Sequence, residues 1–351
     1  MRDNSNLKRK NSGFQGYIKK SMKSFFQNHN GPLAALAVIV IFLLITTNTF
    51  SKTANLINVL RQVCINGLVA AGLTCVLLIG CMDLSVGSIC AVAGCLVVVA
   101  NSVWGLPVWM AVSLAVFVGA SCGLFNGYVV AKTGLPPFVV TIATQQFLRG
   151  VALLFTQGKP VNSVDERFNV IGNGYIGIIP IPVYIMFILL FAVGVVLRQT
   201  KMGRHMYTVG GNREAAIHSG INYPKVVVFA YTVCGALCSV AGIILAARMY
   251  SGQPTVGMDY GTDGIAAAVI GGTAFSGGFG TMFGTLLGVL IIGVINNGMN
   301  LLKINVYTQM LTKGLIILGA VYWDKIKGDV KLVSQVAGYF DKKRGNEEKA
   351  V

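Results

Sequence analysis

The chain has 351 residues, 54% of them hydrophobic and 11% charged, with a formal net charge of +16. A soluble domain carries about 25% charged residues, so an ordinary soluble fold is excluded. The positive charge does not read as a nucleic-acid footprint either, because 19 of the 28 Lys and Arg lie in residues 1–30, 198–225 and 324–351, where they flank apolar blocks as cytoplasmic segments of membrane proteins do.

Taken in chain order, the apolar blocks predict crossings at 32–50, 58–80, 85–103, 107–131, 138–156, 179–198, 224–249, 263–275, 282–301 and 305–323. A spanning helix needs about 20 mostly apolar residues, and only helices or closed barrels satisfy their backbone in lipid. Barrel strands would alternate apolar and polar residues over about 10 positions, and these blocks do not. The expectation is an all-α polytopic membrane protein of about ten transmembrane helices, some short and broken, with both termini cytoplasmic. Its parts would be a basic cytoplasmic tail at 1–31, a transmembrane domain at 32–323 with an inner loop at 199–223, and a basic cytoplasmic tail at 324–351. The first apolar block follows 30 polar residues without a small-residue cleavage site, so it reads as a spanning helix and not a signal peptide.

Two places interrupt the apolar register. The span 263–275 is short and runs into Gly271, Gly272, Gly277, Gly278 and Gly280, and polar or small residues occupy 83–88. Broken helices at membrane depth are tolerated only inside protein or along a cavity, and they often mark a transport path. Polar residues within the spans give the candidate path: Asp83, Ser85, Ser88, Asn126, Thr141, Thr144, Gln145, Asp263, Asn296, Asn297 and Asn300, with Gln309 nearby. Asp83 also reads as an N-cap of the third crossing, and the asparagines as interhelical hydrogen-bonding groups. Amides and hydroxyls with few charges suit an uncharged polyol. Glycines at 119, 123 and 127, and at 280, 284 and 288, predict close helix packing, within this chain or with a second subunit.

The inner loop contains Gly210-Gly211-Asn212-Arg213-Glu214-Ala215-Ala216-Ile217-His218-Ser219-Gly220. Asn212 is a good N-cap, Glu214 suits a helix start and Gly220 can end the helix. Pro224 can then open the seventh crossing. A short capped helix in this place is either a partner-docking element or a connector on the membrane surface.

Other chemistries find little support. The eight cysteines sit in or beside apolar blocks without CxxC spacing, which predicts neither a disulfide nor a metal site. His29, His205 and His218 fall in predicted cytoplasmic segments. No Walker phosphate loop occurs, and the GxGxxG match at 172–177 lies in an external loop without a preceding strand. Ser121 in Gly119-Ala120-Ser121-Cys122-Gly123 has the spacing of a nucleophile elbow, but no histidine lies in a predicted span to serve as its base. The chain reads as a non-catalytic transporter. An ion-coupled secondary carrier is the main alternative, with Asp83 or Asp263 on the coupling ion.

The run from Gly210 to Asn222 resembles the coupling segment of the sugar permeases of ribose- and galactose-type ATP-binding-cassette importers. Met82–Ser88, Leu135–Thr141, Ala266–Thr273 and Ser276–Thr281 resemble further signatures of that family, in order along the chain. The chain departs from the pattern at Gly261 and Gly264, where the family usually carries Glu and Ala, and at Ala143, where glycine is common. The resemblance implies a permease that translocates a monosaccharide, ribose first and galactose or another small sugar next, across the bacterial inner membrane. It also implies a second permease copy, an external sugar-binding protein, and a partner with two ATP-binding cassettes that holds the ATP and magnesium. This chain would need no cofactor of its own. Asn212, Arg213, Glu214, Ala215, Ala216, Ile217 and Gly220 would then meet the ATPase.

Overall fold

The computed structural model describes residues 30–322 and 326. The two basic tails, apart from residues 30, 31 and 326, and His29 with them, lie outside the described residues. The helices are α1 Asn30–Thr46, α2 Thr53–Leu78, α3 Val86–Ser102, α4 Val108–Thr133, α5 Pro137–Thr156, α6 Glu166–Asn173, α7 Ile181–Gln199, α8 Lys201–Gly211, α9 Arg213–His218, α10 Tyr223–Arg248, α11 Tyr260–Ile270, α12 Met282–Leu301 and α13 at 306–322. Six of them, α2, α4, α5, α7, α10 and α12, are long and apolar enough to cross a membrane. α1 and α3 are apolar but shorter, and α11 has only 11 residues.

Burial sorts the spans. The most apolar window of α2 is 83% buried and that of α4 only 22%, so α2 is central and α4 peripheral. α10 packs against α2, α3 and α4, and α12 packs against α2 and α11. The glycine stripes explain two of these contacts. A Cβ at Gly123 would meet the Tyr231 carbonyl and one at Gly119 the Ser239 side chain, both on α10. On the second stripe, Gly288 faces the Ala267 carbonyl and Gly284 the Gly271 carbonyl at the end of α11. Both stripes therefore seat helices of this same chain, as small residues do where backbones approach closely.

Between α2 and α3 the chain is non-helical at 81–84, and Cys81, Asp83 and Ser85 are buried. A second irregular stretch, 253–259, leads into α11, and its Gly257 adopts φ +79° against Gly87 at the start of α3. Two helices thus begin beside one another inside the protein. Arg149 of α5 fixes the second stretch, its Nη1 donating to the carbonyls of Pro254 and Val256.

The segment 157–180 carries α6 and three short strands. β1 (Val161–Asn162) pairs antiparallel with β4 (Ser251–Gly252), and β2 (Tyr175–Ile176) with β3 (Ile179–Pro180). Gly177, at φ +64°, forms the β2–β3 turn, so the GxGxxG spacing is a helix end followed by a hairpin. Ser121 is exposed on α4 and its hydroxyl bonds the Phe117 carbonyl of its own helix.

Candidate transport and coupling site

The inner loop is more helical than its sequence suggested. Residues 201–211 form α8, opened by Thr200, whose hydroxyl accepts from Gly203 N at 3.1 Å. Asn212 then starts α9 as a cap, its Oδ1 accepting from Ala215 N at 2.9 Å, and Gly220 follows α9 at φ +80°. Of the predicted docking residues, Asn212, Arg213, Glu214, Ala215, Ile217 and Gly220 are exposed and Ala216 is buried. Arg213 stacks its guanidinium over the Tyr223 ring at 4.1 Å.

Behind this exposed turn lies a chain of backbone contacts. Tyr207 of α8 donates its hydroxyl to the Gly280 carbonyl at 2.8 Å, and Gly278 N donates to the Leu78 carbonyl at 2.9 Å. Gly210 sits against Leu78 and Gly278, so closely that a Cβ there would collide with both. The glycine-rich segment 271–281 is thus clasped between α8, the end of α2 and the start of α12. Tyr207 and the helical character of Gly210-Gly211 escaped sequence reasoning. The available signal was the density of glycine on both partners of the contact.

The candidate path residues fall into two clusters. In the first, Asp83 Oδ1 accepts from Ser85 N at 2.9 Å and Ser85 Oγ at 2.6 Å. Ser85 Oγ accepts from Asn126 Nδ2 at 2.9 Å, and Asn126 Oδ1 accepts from Thr144 Oγ1 at 2.7 Å. The relay joins the 81–85 segment to α4 and α5, and all four side chains are buried. Asp83 is not an N-cap: the cap position of α3 is Ser85, and Asp83 binds that residue and no first-turn amide of the helix. Thr141 donates within its own helix to the Pro137 carbonyl at 3.0 Å, and Ser88 is buried. Gln145 is half-buried, while its neighbour Gln146 is exposed on α5.

The second cluster lies between α11, α12, α13 and the start of α2. Asp263 Oδ2 accepts from Lys313 Nζ at 3.1 Å and from Asn296 Nδ2 at 3.4 Å, and Asp259 lies 3.8 Å from the same ammonium. Asn297 and Asn55 exchange amide hydrogen bonds of 2.8 and 3.1 Å. Asn300 Oδ1 accepts from Gln309 Nε2 at 3.0 Å. Sequence reasoning missed Lys313, although it is the lone charge in the block 305–323.

These features, broken helices inside an apolar bundle and an exposed capped turn following a helix clasped to one of them, suit a transporter. A protein-family profile described as "Branched-chain amino acid transport system / permease component" matches residues 55–321. The chain belongs to this permease family. It is 39% identical over 331 residues to the ribose import permease protein of Haemophilus influenzae, covering 93% of this chain and 100% of that protein. It is 42% identical over 299 residues to the ribose import permease protein of Bacillus subtilis, covering 85% and 92%. The L-arabinose transport system permease protein of Escherichia coli K12 is 36% identical over 302 residues, covering 86% and 92%. Like other permeases of the family, this chain is a multi-pass membrane component of a transport system and not a catalyst.

Proposed function

We propose that this permease is the membrane-spanning subunit of an ATP-driven importer of ribose in a bacterial inner membrane. The observation that carries the reading is near-complete alignment with ribose import permeases at 39–42% identity, against 36% for the L-arabinose permease. Transport would be powered by a partner with two ATP-binding cassettes that holds ATP and magnesium, with an external sugar-binding protein delivering the substrate.

Several features support the finer assignments. About ten crossings, the half-length α11 among them, would put both basic tails and α8–α9 on the cytoplasmic side, in keeping with the positive charge of those segments. The exposed turn at 212–220 offers the ATPase a docking element, and the clasp of the adjoining α8 on the glycine-rich segment would give that docking a mechanical route to α11 and α12. A second copy of the permease would cover the exposed Gln146 and apolar face of α5, since an amide facing lipid is costly. The sugar would pass the half-buried Gln145 and exposed Asn300. Asp83, Ser85, Ser88, Asn126, Thr141, Thr144, Asp263, Asn296 and Asn297 would brace the helices forming its path, several of them through the hydrogen bonds given above.

The test is uptake of labelled ribose in cells carrying this permease with its native partners. Glu214→Arg should abolish ribose uptake while the protein still reaches the membrane in normal amount, and excess unlabelled ribose should compete better than arabinose or xylose. Undiminished uptake by Glu214→Arg would remove the docking assignment, and stronger competition by another pentose would reassign the sugar.

A further inference from the structure

α13 carries an apolar outer face, with Tyr307, Leu311, Leu315 and Leu318 well exposed, while Ile316, Ile317 and Ala320 pack toward the core. Lys313 is the only charged residue in 306–322. It turns inward and places its ammonium 3.1 Å from Asp263, in the first turn of α11, and 3.8 Å from Asp259, at the cap position just before that helix. Asp263 is 5% exposed and also receives the Asn296 amide. The rest of the seat of α11 is close backbone packing: Gly264 lies against Leu73 and Val69 of α2, and Ala267 and Gly271 meet Gly288 and Gly284 of α12. α11 is therefore seated on α2 and α12 through glycine contacts and tied to α13 by a charge pair.

We infer that Lys313 is a positioning residue for transport: its ion pair with Asp263 locks α13 onto the half-length α11 and neutralises the one carboxylate buried there. Asp263 on this account is turned into the protein and touches neither sugar nor a coupling ion. Removing one member of a buried pair leaves an uncompensated charge, whereas removing both can be nearly neutral. The pair must be matched; it need not be charged.

The experiment compares Lys313→Met, Asp263→Asn and the double variant by two readouts. The first is the melting temperature of the purified full chain in detergent. The second is uptake per molecule of monodisperse protein in cells with the native partners, resolved into KM and maximal rate; this half rests on the ribose reading. Lys313→Met should lower the melting temperature and cut the maximal rate about tenfold or more, with KM unchanged, because the buried carboxylate is left unpaired. The double variant should regain the melting temperature and a maximal rate within about threefold of the unaltered protein. A Lys313→Met variant that melts and transports normally would overturn the inference. So would a double variant no better than Lys313→Met, or a raised KM at full maximal rate, which would put the ammonium on the sugar. If the unaltered protein takes up no ribose, the sugar reading fails, and the melting temperatures still decide whether the pair is a matched lock.

Discussion

Asp83 and Asp263 are both buried acids at places where a helix breaks inside the bundle, and the protein accommodates them in opposite ways. Asp83 is met by neutral donors, the amide and hydroxyl of Ser85, and the load is passed on to Asn126 and Thr144. Among the described residues it has no ion pair. Asp263 is met by an ammonium from a helix 50 residues further along the chain. At Asp83 a tight local turn supplies two donors to one carboxylate oxygen, and two facing helices hold the donor hydroxyl in place. At Asp263, where a half-length helix abuts α13, a counter-ion takes the main part, with the Asn296 amide beside it. The first arrangement rests on a relay of three neutral partners; the second rests chiefly on one charge.

That difference sets the expected order of sensitivity. Lys313→Met should be the most damaging single change, destabilising by about 3–5 kcal/mol, because it strands a buried carboxylate. Asn126→Leu should follow, at about 1–3 kcal/mol, since it removes the centre of the relay and leaves buried hydroxyls of Ser85 and Thr144 short of a partner. Thr144→Val should cost least, about 0.5–1.5 kcal/mol, because it removes one hydroxyl at the relay's end, shared between Asn126 and the Val140 carbonyl of its own helix, with little change of shape. Thermal melting of the purified chain reads all three. A relay variant more damaging than Lys313→Met would invert the comparison and make Asp83 the more exposed point of failure.

The same contrast explains what could be read in the sequence. The capped turn begun by Asn212 was legible because cap and helix lie within one local motif, whereas Asp83, two residues from Ser85, was read as a helix cap and not as that residue's partner. The helices α2, α4, α5, α7, α10 and α12 were legible because each is a long block with little charge. The Lys313–Asp263 pair was not, since nothing local links residues 50 apart, and a lone lysine in an apolar block carries no sign of its partner. The glycine stripes revealed close packing but not what packs, because a glycine records the absence of a side chain and not the identity of its neighbour. α8 was hidden by Gly210 and Gly211, which look like loop residues until the clasp on Leu78 and Gly278 shows why a residue larger than glycine would not fit at 210.

The exposed turn at 212–220, and the segment that the adjoining α8 grips, matter only if a motor protein docks there. The most direct test is to reconstitute the permease with its copurifying partners into vesicles and measure ribose entry, supplying ATP and ion gradients separately. Entry that requires ATP hydrolysis, persists with all gradients collapsed, and is lost in Glu214→Arg is the predicted result. Entry driven by a proton or sodium gradient without any ATP-binding partner would contradict the account.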